Sequence, residues 1–179
     1  MPFKVKFHIW EPGKDAPKMT TDNKALAYIE YGSLRQQKGM EFARMTHEIT
    51  PFNLTGPEKF LYLAYRTREA QEVFWSAKRQ NLPKEVIKEH LVKARGLEKQ
   101  LDLRIADARF YLQGHPKSQH EDMPYNFFLI VEAWREKQNE YFRYLNGRDI
   151  DALVAKQMRK EIDDYQGNID NYVKKNIGF

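Results

Sequence analysis

Residues 83–113 read PKEVIKEHLVKARGLEKQLDLRIADARFYLQ, and the spacing of apolar side chains along this stretch decides the fold class. Ile87, Leu91, Ala94, Leu97, Leu101, Ile105, Ala108 and Leu112 follow one another at steps of three or four, which keeps them on one face of an α-helix. Between them stand Lys84, Glu85, Lys88, Glu89, Lys93, Arg95, Glu98, Lys99, Asp102 and Arg104, all expected in water. Asn81 is expected to cap the start, and Pro83 takes the first turn, where its missing N–H costs nothing. Gly114 and Pro116 are expected to close the end. At ~1.5 Å per residue such a helix is about 46 Å long. With one wet face and one dry, it needs other helices against the dry one. Gly96 interrupts it at a cost of about 1 kcal/mol relative to alanine. The apolar spacing carries through Gly96 without a phase break, so close approach by a neighbouring helix is expected there rather than a kink.

The rest of the chain suits that beginning. A length of 179 residues is enough for a sizeable core in one domain, and 41% hydrophobic with 31% charged residues fits amphipathic helices rather than disorder. No run approaches the ~18 consecutive apolar residues of a membrane-spanning helix. Cysteine is absent, which excludes disulfides, thiolate metal sites and cysteine nucleophiles. The first ten residues lack the long apolar core and small-residue cleavage site of a secretory signal. An intracellular protein of the cytoplasm or an organelle matrix is therefore expected. The net charge is +5, and residues 51–113 hold 12 Lys/Arg against 8 Asp/Glu. Charges of both signs are interleaved, so most of that excess belongs to solvated faces.

At the amino terminus Phe3, Val5, Phe7 and Ile9 alternate with Lys4, Lys6, His8 and Trp10, the period of a strand with one buried face. Glu11–Pro17 is rich in turn residues. The strand must pair with something. Inside the chain the candidate is Glu48–Leu54, weakened by Pro51; the alternative is addition to a partner's sheet edge. Both remain open at this level. Thr21 or Asp22 is placed to cap a first helix reaching about His47, with Gly32 and Gly39 making its middle weak enough to divide it in two. Thr55-Gly-Pro57-Glu58 is a strong start signal for a helix to about Gln80. A fourth helix is expected from about Tyr125 to Leu145, stopped by Gly147, and a fifth from about Ile150 to Lys175, capped by Asp149. The expected architecture is mostly α: an antiparallel bundle of four to five helices over residues 21–179, preceded by a short β-strand and linker arm over 1–20.

Signatures of chemistry are few. A carboxylate di-metal bundle needs Glu-x-x-His on two helices, and no Glu here has His three residues later. His115, His120, Glu121 and Asp122 share one loop, which makes a poorly preorganised metal site. There is no Gly-x-Ser-x-Gly elbow, phosphate-cradling Gly-rich loop or dinucleotide fingerprint. No catalytic residue, metal ligand or cofactor is assigned. Were the chain an enzyme, Glu69, Glu72, Glu98 and Asp102 would have to face one another in a polar pocket.

The most suggestive constellation is Tyr62, Tyr65, Arg66, Arg68, Glu69, Glu72 and Trp75 on the second helix. Aromatic and Arg side chains are the types enriched at interface anchors. The bland reading of the same residues is that the arginines pair with nearby carboxylates while the rings cover the bundle core. The expectation is a non-enzymatic structural or assembly subunit, or an adaptor, that binds other proteins in a larger assembly. Its contacts would be Phe3, Val5, Phe7 and Ile9 of the arm with Tyr62, Tyr65, Arg66, Arg68 and Trp75. The alternative is a nucleic-acid accessory protein that uses Arg66, Arg68, Lys78 and Arg79.

Overall fold

The computed structural model describes residues 2–113 and 125–179. The chain is mostly α, with a small antiparallel sheet near its amino terminus. In order come β1 (Phe3–Trp10), β2 (Met19–Thr21), α1 (Lys24–Arg35), β3 (Arg44–Pro51), α2 (Gly56–Arg79), α3 (Lys84–Gln113), α4 (Tyr125–Leu145) and α5 (Ala152–Ile177). They form two compact units, one of Met1–Leu54 with Lys174–Phe179 and the other of Thr55–Val173. The division falls later than the 1–20 and 21–179 expected from the sequence, because β1 takes β3 as its partner and keeps α1 with it.

In the first unit the strand order is β2-β1-β3, antiparallel throughout. The choice left open for the first strand resolves to internal pairing: Phe3 lies opposite Pro51 and Trp10 opposite Arg44. That register carries β3 only to Pro51, where a proline costs the ladder a donor. One face of β1 supplies Phe3, Phe7 and Ile9 to the core, where they are buried with Ala27 and Leu34 of α1. Phe7 meets Tyr28 edge to face at 6.3 Å. The carboxyl-terminal turn adds Phe179, stacked on His47 at 4.0 Å. The other face of β1 carries Lys4, Lys6, His8 and Trp10, all exposed or half-buried.

The first helix is shorter than expected. Asn23, not Thr21 or Asp22, caps it, its Oδ1 accepting from the N–H of Leu26 at 3.0 Å. It ends at Arg35 rather than near His47, and Gly39 turns the chain with φ at +84°. Met45 and Ile49 are four residues apart, a spacing that shares a face in a helix and in a strand alike. Pairing with β1 selects the strand.

The second unit is a four-helix, up-down-up-down bundle. Thr55 and Glu58 form the expected capping box, with the Thr55 N–H donating to Glu58 Oε2 at 2.8 Å. Asn81 does not open α3; it closes α2. With φ at +51° it lets its own N–H reach Lys78 O and the Leu82 N–H reach Ala77 O, both at 3.1 Å, a Schellman ending. Likewise Asp151, not Asp149, caps α5, accepting from Leu153 N at 2.7 Å and Val154 N at 3.2 Å. The expected closure of α3 at Gly114 and Pro116 lies outside the described residues.

Partner pairs give the directions. Along α4 and α5, Phe127 stacks on Tyr172 and Lys137 pairs with Glu161, so the two run antiparallel. On α2 and α4, Phe60 meets Phe127 and Gln71 meets Gln138, so these diagonal helices run parallel. Leu101, Val131, Trp134, Ile162 and Ile169 fill the centre. The close approach expected at Gly96 is not there. A Cβ built on Gly96 meets nothing within 4 Å, and α2 and α3 meet instead at Ala70, Ala94 and Leu97. Gly96 is an exposed helix-interior glycine with open space beside it. Gly96→Ala is accordingly expected to stabilise the chain by about 1 kcal/mol, read as a higher urea midpoint at unchanged slope; a loss of stability would mean that a neighbour packs closely here after all.

Candidate functional site

The conspicuous cluster of the bundle is polar and runs from its interior to the surface. Gln71, Glu98, Arg135 and Gln138 are all buried. Arg135 grips Asp102 with two nearly parallel bonds, Nε to Oδ1 at 2.8 Å and Nη2 to Oδ2 at 3.0 Å. Its Nη1 donates to Gln138 Oε1 at 2.6 Å. Gln71 Nε2 donates to Glu98 Oε1 at 2.8 Å, and the Gln71 and Gln138 amides exchange bonds at 3.2 Å. Arg95 closes the chain from the surface, 3.3 Å from Glu98 Oε2. Three helices therefore share one network in which each buried charge has an opposite charge or an amide beside it.

Two further arginines tie helix to helix. Arg68 on α2 holds Asp170 on α5 through Nε at 3.2 Å and Nη2 at 2.9 Å, and its Nη1 donates to Gln166 at 2.9 Å. Arg109 on α3 holds Glu132 and Glu136 on α4, at 2.6 and 2.9 Å. Trp134 is fully buried, with the Arg68 and Arg135 guanidiniums each 5.9 Å from its ring. Its Nε1 is the buried side-chain donor without a hydrogen-bond partner among the described residues.

The residues singled out on α2 separate accordingly. Arg68 is held inside the unit by Asp170. Tyr65 is half-buried, its hydroxyl donating to Glu69 at 3.1 Å, and it stacks with Tyr62 at 6.2 Å between centroids. Arg66 lies over the Tyr62 ring at 6.0 Å. Trp75 receives Lys78 at 4.9 Å and Arg159 of α5 at 5.9 Å. Arg79 pairs with Glu72 at 2.6 Å. Of the four cations considered for nucleic acid, Arg68 and Arg79 are thus held by carboxylates of the chain, while Arg66 and Lys78 lie on rings. Phe3, Phe7 and Ile9 of the first strand are buried in their own unit, and Val5 is half-buried.

The carboxylates considered for catalysis do not converge. Glu69 accepts from Tyr65, Glu72 from Arg79, and Glu98 and Asp102 belong to the Arg135 network. Glu98 corrects the expectation that placed it in water; it stands in phase with Ala94, Leu101 and Ile105. The same signal marks Gln71, seven residues after Ala64, and Gln138, seven after Val131. A polar residue at a core position of the helical period was the clue to the network. His115, His120, Glu121 and Asp122 lie outside the described residues. Among the described residues, no helix is long and apolar enough to cross a membrane.

Comparisons with protein-family models, with curated proteins and with solved structures found no match to this chain.

Two outcomes follow from this geometry. Arg135→Ala removes the paired bonds to Asp102 and the bond to Gln138 and is expected to cost about 2–3 kcal/mol in chemical unfolding. Arg159→Ala, which breaks an exposed pair with Asp163, is expected to cost ~1 kcal/mol or less. Equal costs would remove the network from its central place. A second outcome concerns alkali. Burial holds the Tyr65 phenol well above the ordinary tyrosine range, and the Glu69 carboxylate pushes the same way. Above about pH 10 the unfolded chain gives up a proton that the folded chain keeps, so stability falls as pH rises. Thermal midpoints followed from about pH 9 to pH 11 are expected to drop, and Tyr65→Phe to drop less steeply; parallel curves for the two would refute the assignment.

Proposed function

We propose that this chain is a non-enzymatic adaptor or assembly subunit that works by binding other proteins. One observation carries the reading: the turn between α4 and α5 displays Leu145, Ile150, Leu153 and Val154 to solvent, with Leu153 77% exposed. The display is held in shape. Tyr144 Oη accepts from the Asp151 N–H at 2.7 Å, and Asp151 in turn caps the first turn of α5. Four large apolar side chains within ten residues, fixed on a hydrogen-bonded corner, lose free energy in water at roughly 25 cal/mol per Å² left uncovered. A partner that covers them recovers it, as at the apolar centre of a protein interface.

The reading draws further support from the fate of the charged side chains. Guanidinium groups hold Glu72, Glu98 and Asp102, which suits structural pairing better than proton transfer to a substrate. The half-buried rings of Tyr62 and Trp75 on α2 supply the amphipathic surface that interface rims use. We place the protein inside the cell, which accords with a chain built without disulfides.

The test is native mass and composition, measured after isolation from the source at low and high salt. A large protein assembly that survives high salt is expected, and Leu153→Asp, which alters an exposed position and costs less than about 0.5 kcal/mol of stability, is expected to release the chain from it. A chain that runs alone at both salts would overturn the proposal.

A further inference from the structure

The first unit holds a second surface, and its chemistry differs from that of the apolar turn. The inner face of the sheet is occupied by α1 and by the carboxyl-terminal turn. The outer face is open among the described residues. Alternation along β1 sends Lys4, Lys6, His8 and Trp10 to it, and the register of β3 sets Thr50, Glu48, Thr46 and Arg44 directly opposite them.

Three features of that face stand together. The first is a pinned aromatic pair. Trp10 Nε1 donates to Thr46 Oγ1 at 2.8 Å, and His8 Nδ1 lies 2.9 Å from Thr20 Oγ1. The two rings are 6.4 Å apart. The Arg44 guanidinium lies over the indole, 4.9 Å from the ring centroid. The second is an excess of positive charge. Lys4, Lys6 and Arg44 make no ion pair among the described residues, Lys4 lying 5.5 Å from the Phe52 ring; the face also carries Glu48, directly opposite Lys6 and 3.6 Å from His8. The third is size. Six residue steps of strand from Lys4 to Trp10 span about 20 Å, and three strands are about 10 Å across. That is the footprint of one extended polynucleotide strand rather than of a duplex.

We propose that the outer face of the β2-β1-β3 sheet binds single-stranded nucleic acid. Bases stack on the Arg44 guanidinium layered over Trp10, and phosphates run past Lys4 and Lys6. The aromatic rings supply sequence-tolerant stacking and the cations replace the counterions of the backbone. The hydroxyls that fix Trp10 and His8 mean that the rings need not be ordered at the moment of binding. An apolar partner sheet fits this face poorly, since its cations would lose their water. This surface shares no residue with the α4–α5 turn, so it stands or falls independently of the adaptor reading.

The probe is the full-length chain against a labelled oligouridylate of about 15 nucleotides, followed by fluorescence anisotropy. Binding is expected to weaken roughly tenfold as salt rises from about 50 to 200 mM. Lys4→Ala and Lys6→Ala, both at exposed positions, are each expected to lower the slope of that salt dependence by about 0.7. Trp10→Ala, checked for native circular dichroism, is expected to weaken binding about tenfold; Trp10→Phe, which retains a ring, is expected to weaken it less. Lys78→Ala on α2 is expected to leave binding unchanged. No binding at low salt overturns the proposal. So does equal affinity for a duplex of the same length, or for an acidic peptide, which would make the face a contact for an acidic protein. Sensitivity to Lys78 with none to Lys4 and Lys6 also overturns it.

Discussion

Arg135 is a buried cation, and the arrangement of the bundle answers to that fact. Its guanidinium needs acceptors at fixed places in one plane. Asp102 on α3 supplies two and Gln138 on α4 supplies a third. Glu98, one turn before the partly exposed Asp102, is buried and needs donors of its own, which Gln71 on α2 and Arg95 provide. Sliding α4 past α3 by a turn, about 5.4 Å, would break the paired bonds between Arg135 and Asp102. Apolar side chains set no such limit, because a row of alanines and leucines packs tolerably in several registers. The Phe60, Phe127 and Tyr172 rings stabilise the bundle; the Arg135 network and the Arg68–Asp170 clamp fix which residues meet.

How much of this could be read beforehand follows from the range of each interaction. The long helices were legible because a period of 3.6 sustained over twenty to thirty residues suits a helix and no competing regular structure. Their ends were less so. Asn81 and Asp149 are good capping residues in the right neighbourhoods, yet Asn81 is used at the end of one helix rather than the start of the next, and Asp151 displaces Asp149. Local chemistry permits each choice and the backbone path decides. The α1–β3 region shows the same limit differently. Met45 and Ile49 share a face under either period, so the pattern alone did not separate a helix reaching His47 from a strand ending at Pro51.

The candidate site was legible only in part, and the reason is distance along the chain. Arg68 lies 102 residues from Asp170, and nothing in the neighbourhood of Arg68 reveals that its charge is already held. An arginine on an aromatic-rich helix face reads as an anchor until its carboxylate is located. Glu98 and Gln138 did carry a local mark, since each occupies a core phase of its helix. Gly96 carried a misleading one: a glycine in a helix interior suggests a neighbour pressing close, but here the space beside it is open and Ala70 and Ala94 make the contact.

What the fold has satisfied internally is withdrawn from its surface, and this narrows where partners can act. The bundle commits Arg68, Arg109 and Arg135 to its own carboxylates, so charges that look available along the sequence are not. Two sets of groups are among those left over. On the α4–α5 turn they are apolar side chains exposed to solvent. On the open face of the sheet they are Lys4, Lys6 and Arg44, beside rings that hydroxyl groups hold in place. Neither set supports the core: β1 gives its apolar residues to one face, and the opposite face is free to carry Trp10. The Trp10 indole is half-buried on that face, and a flat ligand laid over it and Arg44 would take the remaining exposed ring surface out of water.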